Sequence, residues 1–203
     1  QECAETLMKM DILIATHNPD KLKELQDLLK PLEFRLHFLQ ELPDFLPSEE
    51  DQETLLKNAM KKALEAAKFS GMLTLADDTG LFIAALNNAP GVMSARFAGN
   101  SCSYSDNRQK VLSLMQNTEQ RKAYFKTAVA LAAPDGIIAI IEGKLDGEIT
   151  TAEYGSNGFG YDSIFAVNGK TYAEMNTLEK NRLSHRAIAI KAIIPVLQKI
   201  INT

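Results

Sequence analysis

A short apolar run that passes through a polar turn into leucines at helical spacing constrains the fold most strongly. The run is Asp11–Ala15, an aliphatic stretch that is typical of a buried strand. Within the turn, Asn18 suits the cap of a helix and Pro19 suits its first position. The leucine pattern continues until Pro31, which ends it. Strand, turn and helix in this order favour a fold that mixes both elements.

The middle of the chain repeats this alternation. Residues 32–53 contain two prolines and an acidic run, and we predict irregular structure there. A second amphipathic helix is predicted from about Thr54 to Ser70, and Gly71 is placed to end it. A short strand is predicted at Leu73–Ala76, and a third helix is predicted to start near Ser105.

The second half of the chain adds a hairpin, a glycine-rich loop and a last helix. Strands are predicted at Tyr124–Ala132 and Ile137–Glu142, around a Pro-Asp-Gly turn. The loop is Gly155–Gly160, and the last helix is predicted from about Ser184 to Ile201, with a kink at Pro195. The whole pattern predicts an α/β fold with a mixed β-sheet and flanking helices.

Length and charge limit the classes of function. The 203 residues suit one domain, which we expect to span residues 10–203, with residues 1–9 as an extension. A net charge of −4 does not indicate a general nucleic-acid-binding surface, so a phosphorylated ligand would need locally gathered cations. No apolar run reaches the roughly 18 residues of a membrane-spanning helix. Cys3 and Cys102 have no metal-ligand spacing, and we expect a reducing cytoplasm.

The first candidate site is the turn Thr16–Lys21, where the predicted strand enters the helix. Unpaired N–H groups and the positive end of the dipole at a helix start suit phosphate. Thr16 and Asn18 add hydrogen-bond donors, and Lys21 adds a mobile cation. A plain helix cap with a solvated lysine explains the same residues equally well. The turn is not a P-loop, because the glycines and the Gly-Lys-Ser/Thr ending are absent.

The second candidate is Asp77-Asp78-Thr79-Gly80, at the end of the Leu73–Ala76 strand. Two adjacent carboxylates that leave a buried strand are unfavourable unless they are solvated, paired or bound to a metal. Magnesium uses one or two carboxylates together with waters and substrate phosphates. A turn with capping aspartates is the alternative. Aspartic proteases need two Asp-Thr-Gly copies or an all-β dimer, whereas this chain has one copy and strongly predicted helices. Haloacid-dehalogenase phosphatases use Asp-x-Asp-x-Thr, whereas the two aspartates here are adjacent.

The third candidate is the acidic stretch Glu49-Glu50-Asp51, which is either a solvated loop or part of a magnesium site. Among the lysines of the following helix, Lys62 lies near the border of the apolar face. That position allows Lys62 to point toward the acidic groups, whereas the other lysines of the helix are predicted to lie at the surface.

The fourth candidate is the loop that ends in Gly158-Phe159-Gly160-Tyr161-Asp162. Its glycines allow the backbone to approach a ligand closely. Phe159 and Tyr161 offer faces on which a base can stack, a contact worth about 1–3 kcal/mol. Asp162 is a hydrogen-bond acceptor. A tight turn with aromatic side chains packed into the core is the alternative.

The fifth candidate is Lys180 together with Ser184-His185-Arg186 at the start of the last helix. Ser184 is a good cap, but His185 and Arg186 then fall in the first turn, where the helix dipole disfavours cations. A ligand with acceptor atoms at that position accounts for the placement, and an exposed capped helix start is the alternative. The histidines at 17, 37 and 185 are too scattered for a zinc site.

These groups occur in an order that resembles one known family. The stretches that carry the likeness are ILIATHNPDKLKEL, LADDTGLFIAALNNAPGVMSARFAG, GFGYDSIF and EKNRLSHRAIAIKAI, and together they reach from about Asp11 to Ile201. The chain resembles the inosine triphosphate pyrophosphatases, also called Ham1-like or non-standard purine nucleoside triphosphate pyrophosphatases. The resemblance implies a mixed α/β sheet with two lobes around a deep cleft, in a cytoplasmic homodimer.

The resemblance also implies magnesium-dependent hydrolysis of ITP, dITP and XTP to the monophosphate and pyrophosphate. It implies that Asp78 is the general base and a Mg²⁺ contact, and that Glu50, or its neighbour Glu49, is the further acidic metal contact. The substrate contacts implied in the same way are Thr16, His17, Asn18, Pro19, Asp20 and Lys21 for the triphosphate, Lys62 for a phosphate, Thr79, then Phe159, Gly160, Tyr161 and Asp162 for the base face, and Lys180, His185 and Arg186 for the base edge.

The chain departs from the family pattern in two places. The family often shows Glu-x-Gly-x-Thr-Phe-x-Glu-Asn-Ala before the lysine, whereas residues 50–59 lack the glycine, the phenylalanine and the second glutamate. The assignment of the glutamate therefore has the least support from the motif. His17 replaces a common small residue in the phosphate turn. Two other functions stay open, which are nucleotide binding without hydrolysis and a related pyrophosphatase that prefers modified pyrimidines.

Overall fold

The computed structural model describes residues 10–32, 34–46 and 48–201. The expected extension at residues 1–9, and Cys3 within it, lie outside the described residues. The helices are α1 (Pro19–Leu29), α2 (Leu55–Ser70), α3 (Tyr104–Leu114), α4 (Thr177–Leu183) and α5 (His185–Ile201). The strands are β1 (Asp11–Ile14), β2 (Arg35–Phe38), β3 (Leu73–Ile83), β4 (Pro90–Gly91), β5 (Lys122–Ala133), β6 (Gly136–Ile149), β7 (Phe165–Val167) and β8 (Lys170–Thr171).

All these strands belong to one mixed sheet, with the order β2-β1-β3-β5-β6-β7-β8 and with β4 paired to β3. The strands β2, β1 and β3 are parallel, and the pairs from β3 through β8 are antiparallel. The predicted α/β fold with a mixed sheet and flanking helices is confirmed, whereas the division into two lobes stays a prediction. Within the described residues, no helix combines the length and the apolarity needed to cross a membrane.

The predicted helix ends follow from local chemistry. Asn18 caps α1, because its Oδ1 accepts hydrogen bonds from the N–H groups of Asp20 and Lys21. The Thr54 hydroxyl caps α2 in the same way, by accepting from the Lys57 N–H. Gly71 ends α2 with a φ of 74°, a left-handed conformation that suits glycine. These positions are confirmed.

Three predictions about strands are wrong. The strand predicted at Ile137–Glu142 does not end at Glu142, because β6 continues to Ile149 and pairs with β5 as far as Glu148. Residues 32–53 are not wholly irregular, because β2 forms there and pairs with β1 along its whole length. The Leu73–Ala76 strand does not stop before Asp77, because β3 continues to Ile83 and pairs with β5 from Thr74 onward. In each case a neighbouring strand supplies hydrogen-bond partners that the local sequence does not reveal.

The long β3 strand places its two adjacent aspartates on opposite faces of the sheet, since successive side chains of a strand alternate. On one face, Leu75 packs with residues of α1 and α5. On the other face, Ala76 packs with the alanine-rich side of α2. Asp77 therefore points toward α5, and Asp78 points toward α2.

A gap in the sheet lies beside the aspartates. Because β1 pairs with β3 only as far as Leu75, and β4 pairs only at Leu81 and Phe82, residues 76–80 of β3 have no strand partner on that edge among the described residues. The chain after β1 turns away at this point into Thr16–Lys21. The gap leaves room for a cavity whose floor is strand backbone.

The start of α5 reaches the sheet through a close contact with Gly143 of β6. A Cβ atom at Gly143 would lie 2.1 Å from the His185 carbonyl oxygen and 2.6 Å from the Ala189 nitrogen. Only glycine leaves room for this approach. The contact holds the start of α5, with His185 and Arg186, against the sheet.

Candidate active site

A cavity of about 370 Å³ opens at the gap in the sheet. It brings together side chains from all five candidate regions of the sequence. The predicted site residues that line it are Thr16, His17, Asn18, Lys21, Glu50, Lys62, Asp78, Thr79, Phe159, Gly160, Tyr161, Asp162, Lys180, His185 and Arg186. Pro19 and Asp20 do not line it.

The turn before α1 presents one cation toward the sheet. Lys21 Nζ lies 3.5 Å from Asp77 Oδ2, and the Lys21 side chain is 15% exposed. The N–H groups of Asp20 and Lys21 already donate to Asn18. The helix start therefore offers fewer N–H groups for phosphate than the sequence pattern predicts, and Lys21 supplies the charge.

Asp78 lies at the bottom of the cavity with one oxygen held by an amide. Its Oδ2 accepts from Asn58 Nδ2 at 3.0 Å, and its Oδ1 accepts from the Thr79 N–H at 2.9 Å. Burial raises the pKa of Asp78, while the Lys62 and Lys21 cations oppose that rise. A carboxylate that is fixed in this way, with a raised pKa, is suited to take up a proton.

Lys62 bridges two carboxylates, as its position on the border of the apolar face predicts. Its Nζ lies 2.6 Å from Glu50 Oε1 and 3.8 Å from Asp78 Oδ1. Burial alone would raise the pKa of Glu50, but Lys62 holds it below the ordinary value. Glu50 lines the cavity, whereas Glu49 is exposed, so the geometry favours Glu50 as the acidic partner.

The carboxylates of Glu50 and Asp78 fit a magnesium ion whose coordination shell is completed by waters and by oxygens of a phosphorylated ligand. No group of three or more histidine, cysteine, aspartate or glutamate residues suited to a metal occurs in the described part of the chain. Mg²⁺ does not need such a cage, since it binds through one or two carboxylates with waters and phosphate oxygens. Glu50 and Asp78 face one cavity and share Lys62 as a partner.

A buried network of charges lies behind the cavity. Arg186 is 2% exposed and donates from Nε and Nη2 to Asp77 Oδ2, both at 3.2 Å. Its Nη1 contacts Glu24 Oε2, and its Nη2 also donates to Thr79 Oγ1 at 3.0 Å. Burial alone would raise the pKa of Asp77, but Lys21 and Arg186 hold it well below its ordinary range. Protein carboxylates therefore explain the cation in the first turn of α5, where the sequence suggested a ligand.

Glu24 links this network, through Lys180, to the loop that carries Phe159 and Asp162. Its Oε1 accepts from Lys180 Nζ at 2.6 Å, and Lys180 Nζ also lies 2.5 Å from Asp162 Oδ2. Asp162 Oδ2 accepts from the Phe159 N–H at 2.9 Å as well. A Cβ atom at Gly158 would lie 2.0 Å from Asp162 Oδ2, so this glycine is required by the loop.

The two aromatic residues of the loop have different environments. Tyr161 is buried, and its hydroxyl donates to the Ser94 carbonyl oxygen at 2.7 Å. Phe159 is half-buried, and the Lys180 ammonium lies 5.1 Å from the centre of its ring. Tyr161 therefore combines a core position with a place on the cavity wall, while Phe159 keeps a face available.

His185 is a neutral, stacked side chain. Its ring lies 4.5 Å from the ring of Phe125 and 5.9 Å from that of Tyr172, measured between centroids. Burial and the nearby Arg186 cation lower the pKa of His185 well below its ordinary value. An unprotonated imidazole at the cavity wall offers one donor and one acceptor nitrogen.

We expect His185 to make stability sensitive to acid. Because its pKa is lower in the folded chain than the ordinary 6.5, its contribution to stability is complete above pH 6.5 and is lost as the pH falls. Below that pH, the free energy of unfolding of the wild type should therefore fall relative to His185→Phe by up to about 1.4 kcal/mol per pH unit. Urea unfolding at several pH values measures the difference.

His37 provides the control for this measurement. Its hydrogen bonds to Glu41 and Asp11 raise the pKa of His37. Its contribution is therefore complete below pH 6.5 and is lost only as the pH rises through the folded-state pKa. The acid branch of the His37→Gln profile should run parallel to that of the wild type. A parallel acid branch for His185→Phe would contradict the prediction.

Sequence reasoning missed several residues that support the site. Asn58 holds Asp78, and Glu24 holds Lys180 and Arg186. A signal was present for both, because Asn58 lies one helical turn before Lys62, and Glu24 lies one turn after Lys21. Tyr104 also lines the cavity, and nothing in its local sequence indicates that position.

The chain is similar in sequence to several known proteins. Residues 12–196 match the model of the Ham1 family. A dITP/XTP pyrophosphatase of Desulforamulus reducens is 44% identical over 195 residues, which cover 94% of this chain and 97% of that protein. A dITP/XTP pyrophosphatase of Elusimicrobium minutum is 45% identical over 194 residues, which cover 91% of this chain and 98% of that protein.

Solved structures share the fold. A HAM1 protein from Coxiella burnetii superposes with a TM-score of 0.83 at 40% identity, covering 94% of this chain and 99% of that one. The Staphylococcus aureus Ham1 protein superposes with a TM-score of 0.83 at 36% identity, covering 93% of this chain and 98% of that one.

Proposed function

This chain belongs to the Ham1 family, as the sequence resemblance indicated, and we propose that it hydrolyses non-standard purine nucleoside triphosphates. The substrates would be ITP, dITP and XTP, and the products the monophosphate and pyrophosphate. One observation carries the proposal, which is that Lys21, Lys62 and Asp78 line the same cavity as Phe159 and Asp162. We assign the first three residues to the phosphate end of a ligand and the other two to its base end. This arrangement suits a ligand that carries a polyphosphate and a planar base.

The phosphate end of the cavity would hold and activate the reacting group. Lys21 and Lys62 contact phosphate oxygens and reduce the repulsion that an incoming nucleophile meets. Asp78 takes a proton from the attacking water, and Asn58 keeps the carboxylate oriented for that step. Bound at Glu50 and Asp78, Mg²⁺ would neutralise charge on the leaving pyrophosphate.

The base end of the cavity would select a 6-oxo purine by hydrogen-bond polarity. Lys180 presents a donor and Asp162 presents an acceptor, and they lie next to each other. A 6-oxo group accepts, and the adjacent ring N–H donates, so both find partners. Adenine reverses the two roles, and unpaired buried polar groups of this kind can reduce catalytic efficiency by about 10⁴-fold.

An assay of products with and without metal tests the proposal. With Mg²⁺ and ITP, dITP or XTP, we expect equal amounts of monophosphate and pyrophosphate, and a kcat/KM for ATP lower by at least about 10³-fold. A chelator should remove the activity, and added Mg²⁺ should restore it. A comparison with GTP shows how far the extra 2-amino group is rejected.

Other outcomes would contradict the proposal. Orthophosphate with a diphosphate product would indicate attack at the γ-phosphorus. Tight binding of nucleotide without release of pyrophosphate would indicate a carrier or sensor. Faster turnover of modified pyrimidine triphosphates than of ITP would indicate a different base preference. A homodimer and a cytoplasmic location stay predictions.

A further inference from the structure

One side chain outside the predicted site joins the two ends of the cavity. Tyr104 is the first residue of α3, directly after the Ser103 cap. Its hydroxyl oxygen accepts from Asn18 Nδ2 at 3.0 Å and donates to Asp20 Oδ2 at 3.1 Å. Tyr104 therefore fixes the side chains of the turn that we assign to the triphosphate.

The ring of Tyr104 reaches toward the base-binding loop. Its centroid lies 5.9 Å from that of Phe159, with an angle of 46° between the planes. One turn further along α3, Arg108 Nη1 donates to the Gly160 carbonyl oxygen at 2.9 Å, and its Nε donates to Glu153 at 2.8 Å. The first turns of α3 thus connect the phosphate turn to the loop that carries Phe159.

We propose that Tyr104 is a substrate-contact residue that packs against the sugar of the bound nucleotide. This inference rests on the proposed function, because it uses the two ends assigned there. The sugar joins the base to the triphosphate, so it must lie where the wall between those ends lies. Tyr104 lines the cavity and contacts both ends.

Because of its environment, the side chain of Tyr104 can be removed to test binding without a large change in stability. The residue is 39% exposed, and it belongs to none of the apolar clusters formed by the described residues. Truncation of such a side chain has little effect on stability. Its hydroxyl positions Asn18, whereas its ring offers an apolar face to the sugar, so the two contributions can be removed one at a time.

Steady-state kinetics with ITP and Mg²⁺ test the proposal on three variants. For Tyr104→Ala we expect KM to rise about tenfold with kcat within about twofold, because the lost contact is made equally in the ground and transition states. Tyr104→Phe keeps the ring, and its KM should rise by only about threefold. Tyr154→Ala is the matched control, since Tyr154 is 48% exposed and does not line the cavity.

Product inhibition identifies the part of the ligand that Tyr104 contacts. Inosine monophosphate carries the sugar, whereas inorganic pyrophosphate does not. In Tyr104→Ala, inhibition by inosine monophosphate should weaken about tenfold, and inhibition by pyrophosphate should weaken by less than about threefold. Thermal unfolding of each variant should match that of the wild type.

The results that overturn the inference are distinct from those that overturn the function. An unchanged KM in Tyr104→Ala, or an equal weakening of both inhibitors, would exclude a contact with the sugar. If the wild type releases no pyrophosphate, the proposed function fails instead. In that case, equilibrium binding of inosine monophosphate to the wild type and to Tyr104→Ala still decides the role of Tyr104.

Discussion

Replacing Asp78 with asparagine is expected to lower kcat by about 10³-fold, because a positioned general base contributes about 10²–10⁴-fold to a rate. Asparagine has the same shape but cannot accept the proton of the attacking water. The fold should survive, since burial raises the pKa of Asp78 and so disfavours its charged form in the folded chain. We expect the melting temperature to equal or exceed that of the wild type. Pyrophosphate release and calorimetry measure the two effects.

Asp146 supplies the control for this variant. It also lies on a strand, but its side chain is 79% exposed and pairs with Lys144. Asp146→Asn should keep both turnover and stability. Near-wild-type turnover in Asp78→Asn would remove Asp78 from the mechanism, and a large loss of stability would contradict the proposed reason for its raised pKa.

Replacing Arg186 with methionine is expected to cost about 3–5 kcal/mol of stability, because Asp77 and Glu24 lose the buried guanidinium that they share and keep only one lysine each. Asp77 has a fully buried side chain, and Glu24 is 14% exposed in its side chain. The cost should depend on pH. Because the pKa of Asp77 is depressed, its stabilising contribution is present above the ordinary value of 3.8 and is lost as the pH falls below it. Urea unfolding at neutral and acid pH measures both effects.

An exposed arginine gives the comparison. Arg35 lies 3.5 Å from Asp11, and its side chain is 65% exposed, so Arg35→Met should change stability by less than about 1 kcal/mol. Adding Asp77→Asn to Arg186→Met should recover part of the loss, because it removes one of the buried charges that lost the guanidinium. Similar losses for the two arginine variants would show that the buried network contributes little.

Local chemistry made part of this fold predictable. The cap at Asn18, the cap at Thr54 and the stop at Gly71 each depend on residues within four positions, so the sequence contains the whole signal. The direction of the Lys62 side chain was also predictable, because Lys62 lies on the border of the apolar face of α2.

Tertiary pairing made the rest unpredictable. The strand β2 exists because β1 offers it an edge, and β3 continues through two aspartates because β5 pairs with it beyond Ala76. The contacts of Arg186 were unpredictable for the same reason. Its partners Asp77 and Glu24 come from elements that are distant in the chain, so its position in a helix start suggested a ligand instead of a protein carboxylate.

At the break in the sheet beside residues 76–80, the proposed general base and the walls proposed to select the nucleotide come from different parts of the fold. Asp78 lies on β3, which pairs with β5 from Thr74 to Ile83, whereas other walls of the cavity come from the segment around Phe159 and from α3. Insertions or exchanges in those walls should change the nucleotide that fits without moving the carboxylate that we propose as the general base. A redesign of nucleotide selectivity would therefore change those walls and leave β3 as it is.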